Sequence, residues 1–295
     1  GRREGVLGFV HREKRRFVEV QECMIMDPWI NEAMQKLRGH CSETSQLAIR
    51  YGSQSGSWLI QPSFKNPDVP LATGQKHYTE ALKGIPFRVA SPSFFQVNTL
   101  QAERMADVVR EALTLSGKEV VVDAYAGVGT FAALLAPDAS KVIAIEESSS
   151  AIEDAQLNLA PFPNVSIIKG KTEEVLGQLG QEVDAVVLDP PRVGCQPEAL
   201  ESLTRLSPAK VAYVSCDPES LARDLKLLAK GPFQVAWVQP VDMFPQTYHV
   251  ESIALLTLKP GHPITLASSS PRRRSILQEA GIAFNVMSPR GEEAP

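Results

Sequence analysis

Cysteine is scarce: Cys23, Cys41, Cys195 and Cys216 are scattered over 295 residues. With no export features beside them they make no disulfide framework, and reduced thiols in a cytoplasmic protein are the expectation. Uninterrupted apolar runs long enough to cross a bilayer are missing, and no secretory signal is read at the start. An excess of positive charge is missing too. The formal net charge of −4 argues against attraction to nucleic acid by bulk electrostatics. What is present, 43% hydrophobic and 22% charged residues, is the make-up of an ordinary globular protein with room for a substantial core.

The positive charge that exists is concentrated. The opening "GRREGVLGFVHREKRRFVEV" gathers Arg2, Arg3, Arg12, Lys14, Arg15 and Arg16 around Phe9 and Phe17. That run is either a solvated surface or a local phosphate-binding face. It reads as continuing a segment that lies upstream. From residue 1 to about residue 92, short alternating runs such as "FVEV" and "SWLI" stand between Gly, Ser, Asn and Pro clusters, which predicts a small β-rich region.

Beyond Pro92 the pattern changes. "TLQAERMADVVREALTL" carries apolar residues at helical spacing, and seven strand candidates follow: "EVVVDAY", "KVIAIEE", "VSIIKG", "DAVVLD", "KVAYVSC", "FQVAWVQ" and "SIALLTL". Helical segments separate the first six, so the crossovers predict a doubly wound, largely parallel α/β sheet of seven strands. No clear helix separates the last two, so the seventh strand is expected to run antiparallel. The expected domains are 1–92, 93–260 and a short segment 261–295, which is too small to bury a core alone.

Ligands of such sheets bind outside the carboxyl ends of the parallel strands, and four motifs fall there. In "VVVDAYAGVGTFAALLA", Gly127 and Gly129 allow a tight turn ahead of a helix, and Glu146 ends the next strand where a carboxylate can take ribose hydroxyls. This pattern suits a dinucleotide and S-adenosylmethionine equally. In "DAVVLDPPRVG", Asp189 is held at the sheet edge by Pro190 and Pro191, or else is solvated where prolines end the strand; Arg192 is a phosphate or substrate contact, or plain surface.

In "VAYVSCDPESLARDL", Cys216 ends an apolar strand, with Asp217 as N-cap and Pro218 opening the helix behind it. A helix N-terminus lowers a thiol's pKa, which makes Cys216 a candidate nucleophile; the alternative is a small core residue. In "DMFPQTYHVESIALL", His249 and Glu251 begin the seventh strand. Glu251, beside apolar residues, is a candidate general base with a raised pKa or an exposed strand-end carboxylate.

Together with "FFQVN" at 94–98, the ordered motifs "DAYAGVGTF", "DPPRVG", "SCDP" and "HVE" resemble the RNA 5-methyluridine methyltransferases, over about Gly5 to Lys259. That family methylates uracil C5 in transfer and ribosomal RNA with S-adenosylmethionine. The resemblance implies a Rossmann-like methyltransferase sheet, Cys216 as nucleophile and Glu251 as base. It also implies that Gln96, Tyr125, Gly127, Thr130, Glu146 and Asp189 line the cofactor or the reacting base. The implied partner is structured RNA, either rRNA or tRNA, with neither DNA nor a membrane expected.

Three features depart from the family. Ala126 replaces a frequent cysteine, Thr130 a frequent asparagine, and Lys171 falls where an acid or amide often sits beside the adenine. Cys23 resembles the last ligand of an iron–sulfur cluster carried by some members, whose other ligands would precede Gly1, so no metal site is expected in this chain. The tail "LASSSPRRRSILQEAGIAFNV" resembles the opening of Maf-type nucleotide pyrophosphatases, which implies phosphate contacts for Ser270, Arg272 and Arg273 in a truncated module. Two other readings stay open: an RNA-binding remnant without catalysis, and an amino-methyltransferase acting on adenine or cytosine.

Overall fold

The computed structural model describes residues 5–11, 13–260, 264–266, 274–275 and 284–286. Arg2, Arg3, Arg12, Ser270, Arg272 and Arg273 lie outside the described residues. The chain forms two units, Gly1–Thr257 and Leu258–Pro295.

The first part of the larger unit is built from three antiparallel hairpins and a helix. Strands β1 (Gly8–Val10) and β2 (Phe17–Glu19) pair, with Lys14, Arg15 and Arg16 exposed at the tip. Helix α1 (Pro28–Leu37) follows. Its N-cap Asp27 accepts from the Trp29 backbone N–H at 2.8 Å and proline opens the first turn. The β-rich region expected for residues 1–92 does not include this helix, although Ile30, Ala33, Met34 and Leu37 repeat at helical spacing. Strands β3 (Ala48–Tyr51) and β4 (Trp58–Gln61) make the second hairpin; β5 (His77–Leu82) and β6 (Ile85–Ala90) make the third. The two-residue turn of the third puts Lys83 and Gly84 at φ 51° and 76°, the left-handed pair that suits the strands' twist.

Helix α2 (Thr99–Leu113) is capped by Asn98 and leads into the sheet: β7 (Val120–Ala124), α3 (Thr130–Leu135), β8 (Lys141–Glu146), α4 (Ser149–Asn158), β9 (Val165–Lys169), α5 (Thr172–Val175), β10 (Ala185–Leu188), α6 (Pro197–Leu206), β11 (Lys210–Ser215), α7 (Pro218–Leu228), β12 (Phe233–Val241) and β13 (Glu251–Leu258). The strand order is β12-β13-β11-β10-β7-β8-β9. β7, β8, β9, β10 and β11 pair in parallel, and β13 runs antiparallel to β11, as the sequence pattern predicts. Chain order reverses between β7 and β10, the place where such sheets open a crevice.

The inner strands are nearly continuous apolar runs because both of their faces are covered. Val121, Val142, Val187 and Val214 pack on one side with Met105 and Val109 of α2. Val122, Ile143, Val186 and Tyr213 pack on the other with Leu200 of α6 and Leu221 of α7. In the smaller unit, β14 (Ile264–Leu266) pairs in parallel with β15 (Phe284–Val286).

Candidate active site

The turn after β7 is left-handed at three positions: Tyr125 (φ 66°), Gly127 (56°) and Gly129 (88°). Gly129 is required twice over, since a Cβ there would stand 2.8 Å from a Leu159 methyl. Above Gly127 the space is open, with nothing within 4 Å of a notional Cβ. The Glu146 carboxylate braces the turn, accepting from the backbone N–H of Gly127 (2.8 Å) and of Ser148 (2.7 Å). Each of its oxygens keeps a lone pair for a further donor. Thr130 opens α3 and is half-buried, while Lys171, the residue before α5, is exposed.

Asp123, on β7 beneath this turn, is fully buried. Its Oδ2 accepts from the Ala132 N–H at 2.7 Å, but Oδ1 is buried without a partner. Loss of water pushes this carboxyl up to about 7. Asp123 is not among the residues that the sequence motifs single out; its signal is a lone charged residue in an apolar strand. Gln96, in the segment before α2, likewise has a buried Oε1 with no donor.

The second half of the site lies at the carboxyl ends of β10 and β11. Asp189 follows β10 and is half-exposed at its surface, yet protein atoms surround the carboxyl. Desolvation, then the neighbouring Glu251 and Asp123 carboxylates, push it up to about 8. The β11–β13 register pairs Val214 with Ile253 and Ser215 with Ser252. The next residue beyond this last pair is Cys216 on one side and Glu251 on the other, so the two stand at the same end of the strand pair. Glu251 is only 3% exposed, and burial raises its pKa against the lowering pull of Arg192.

Cys216 is half-buried, and the helix behind it is capped as the sequence predicts: Asp217 accepts from the Ser220 N–H at 2.8 Å. The thiol nevertheless moves opposite to the expected direction. Burial, the Glu251 carboxylate and the Asp189 carboxylate raise its pKa and outweigh Arg192, which lowers it. Arg192 is therefore the cation of this edge. Its Nη2 lies 3.4 Å from Nε2 of His249, whose ring stacks obliquely on Tyr248 at 4.2 Å. His249 precedes β13 rather than belonging to it.

Tyr125 sits apart from this edge. Its ring packs with the apolar cluster beneath α6 and α7, and burial beside Cys195 drives its hydroxyl pKa upward. A cavity of about 1010 Å³ adjoins the site. Phe9, Phe17 and Met24 line one wall, and Gln96, Val97 and Phe244 the other. Cys23 is half-buried, and its backbone exchanges two hydrogen bonds with the Asn31 amide. Among the described residues no group of three His, Cys, Asp or Glu side chains converges as a metal-ligand set, and no helix is long and apolar enough to cross a membrane.

Comparison with known proteins adds four findings. The sequence profile of the tRNA (Uracil-5-)-methyltransferase family matches residues 75–259. An uncharacterized RNA methyltransferase of Thermosynechococcus vestitus is 32% identical over 87% of this chain and 69% of its own length. One from Listeria innocua is 43% identical, but over 61% of this chain and only 41% of its own length. Among solved structures, the Pyrococcus abyssi tRNA (uracil-54, C5)-methyltransferase in complex with S-adenosyl-L-homocysteine superposes with a TM-score of 0.66 at 25% identity, covering 82% of this chain and 70% of the other.

Proposed function

Because the chain belongs to the tRNA (uracil-5-)-methyltransferase family, we propose that it methylates C5 of a uridine in structured RNA, through a covalent bond between Cys216 and the pyrimidine ring. The observation that carries this reading is the register that brings the Cys216 thiol and the Glu251 carboxyl, 35 residues apart in sequence, to one edge beside Asp189.

The residues fit S-adenosylmethionine. Asp123 Oδ1 and Gln96 Oε1 are buried acceptors waiting for a donor, which an ammonium group supplies. Gly127 leaves room above the turn, and Glu146 keeps lone pairs for ribose hydroxyls. When bound, this cofactor supplies an electrophilic methyl group. Uracil C5 is a weak nucleophile, so the chain has to activate it. The Cys216 thiolate adds to C6, and the displaced electron pair moves onto O4 as an enolate. C5 would then take the methyl group with that pair, while the sulfur–methyl bond breaks and its electrons leave with S-adenosylhomocysteine. Glu251 removes the C5 proton, the C5–C6 double bond re-forms, and the Cys216–C6 bond breaks to return the thiolate.

Arg192 stabilises the thiolate against its two carboxyl neighbours. The uridine has to leave its stack to reach this edge, and Lys14, Arg15 and Arg16 at the first hairpin tip suit the phosphates around it.

RNA carrying 5-fluorouridine tests the mechanism, because after methyl transfer no proton remains at C5 for Glu251 to take. The protein should form a lasting adduct with it that Cys216→Ala abolishes. Normal methylation by Cys216→Ala would overturn the mechanism, and methylation of an exocyclic nitrogen would favour an amino-methyltransferase instead.

A further inference from the structure

Behind the active edge, on the α7 side of β11, lies a second carboxylate that does not touch the cleft. Asp224 is fully buried in α7. Its Oδ2 accepts from the Tyr213 hydroxyl at 2.7 Å and from the Cys195 backbone N–H at 2.8 Å. Its Oδ1 accepts from Arg223 Nε at 2.8 Å, and Arg223 Nη2 donates to the Val193 carbonyl at 2.7 Å. Between those two anchor points stands Gly194, with φ 79°. A Cβ on it would lie 2.5 Å from both Asp224 Oδ2 and Arg223 Nη2. The loop 193–195 is thus pressed onto the Arg223–Asp224 pair at three successive residues, an approach only glycine permits.

The two segments joined in this way are the two that carry the reactive edge. The loop begins at Asp189 and carries Arg192. The helix begins directly behind Cys216, and Tyr213, on the strand that leads to it, is three residues before that thiol. We propose that Asp224 is a positioning residue for the methyl transfer: it locks the loop bearing Arg192 to the helix and strand bearing Cys216, and so keeps the guanidinium within reach of the thiol. The proposal rests on the reading of Cys216 as the nucleophile, but its geometric half stands without it.

The chemistry requires such a lock. Arg192 is exposed and starts from a loop that prolines hold extended, so without the anchor its position relative to the sulfur is free to drift. The charged and titratable groups facing the sulfur are Glu251 and Asp189, both disfavouring the thiolate, and Arg192, favouring it. Those facing Asp224 are Tyr213, Tyr125, Cys195 and Arg223. Loosening the lock removes the favourable neighbour and leaves the unfavourable ones in place, so the thiol should titrate at higher pH.

The test uses the full chain and reads Cys216 directly. Iodoacetamide alkylation is followed over a pH series and resolved by peptide, so that Cys23, Cys41 and Cys195 are scored separately. Asp224→Asn and Arg223→Met should each move the Cys216 midpoint upward, by ~0.5–1 pH unit for the former. Affinity for S-adenosylhomocysteine and the circular dichroism spectrum should stay near those of the parent protein. Methyl transfer should fall with kcat reduced more than KM is raised.

Tyr213→Phe, which removes one of the three groups that donate to Asp224, should shift the midpoint in the same direction by less. If Asp224→Asn does not fold, Arg223→Met and Tyr213→Phe decide the matter. Folded variants whose Cys216 midpoint matches the parent would overturn the proposal, whatever their activity. A shifted midpoint in a protein that never forms an adduct with 5-fluorouridine RNA would leave the lock standing and remove the proposed function.

Discussion

Strand β11 separates two sets of buried acidic groups that the chain treats in opposite ways. On the α7 side, the Asp224 carboxylate is fully enclosed and takes hydrogen bonds from Tyr213, Cys195 and Arg223. On the cleft side, Asp123 has one donor and an orphaned oxygen; desolvation and the nearby Glu146 push it up to about 7, and desolvation with Glu251 and Asp123 pushes Asp189 up to about 8. A buried acid with its donors in place is a rivet. A buried acid lacking them is destabilising on its own and becomes favourable only when something arrives to complete it. The difference therefore separates the part of the molecule that holds shape from the part that is poised to receive charge.

The sharpest way to break this comparison is to disable the cleft without touching the rivet. Glu251→Gln should lower the methylation rate by about 10²–10⁴-fold. Ordinary RNA, carrying C5–H, should then remain bonded to the protein through Cys216, visible as a slowed band on a denaturing gel. A variant that is slow but accumulates no adduct would show that Glu251 does not act at the proton-removal step.

Disturbing the rivet should instead cost stability. Gly194→Ala combines a left-handed backbone with a methyl forced onto an ion pair, and it should lower the unfolding free energy by about 2–4 kcal/mol in a urea titration. A loss much below that would mean the loop yields easily and the clamp is weak.

Asp123→Asn should do the reverse in the cofactor-free protein. A carboxyl whose folded pKa is raised above its unfolded value is equally protonated in both states at low pH, so there the variant gains nothing. As pH rises from about 4 to about 7 the unfolded chain releases its proton while the folded chain keeps it, and the parent loses stability relative to the variant. Thermal melts should show Asp123→Asn ahead by up to ~4 kcal/mol at pH 8 and level at the acidic end. An advantage that grows toward low pH would contradict the assignment. The mildest change is Asp217→Ala, which removes the cap on α7 and should cost about 1 kcal/mol, read from the same melts, without altering cofactor affinity.

Much of this architecture was legible along the chain, for a physical reason. Strands covered on both faces must be apolar throughout, so "VVVDA", "KVIAIE" and "KVAYVS" announce themselves. The missing helix between β12 and β13 told the direction of the seventh strand. Helix α1 was legible too and went unread, because Asp27–Pro28 and the spacing of Ile30, Ala33, Met34 and Leu37 lay among hairpins that set a different expectation.

Other features could not be read in that way. A capped helix directly behind Cys216 argues for an acidic thiol, but the sign of its pKa shift depends on Glu251 and Asp189, which arrive from other strands. Asp224 looks like one more polar residue of an amphipathic helix until Tyr213 and Cys195 are brought to it.

Local sequence thus determined the elements, their alternation, the glycine turn and the residue types at the sheet's edge, because those follow from periodicity, caps and turn chemistry within a few residues. Only the tertiary structure decided which acids are satisfied and which are left wanting. Hydrogen-bond partners and solvent are shared among segments that meet through folding, and a group's charge is set by all of them at once.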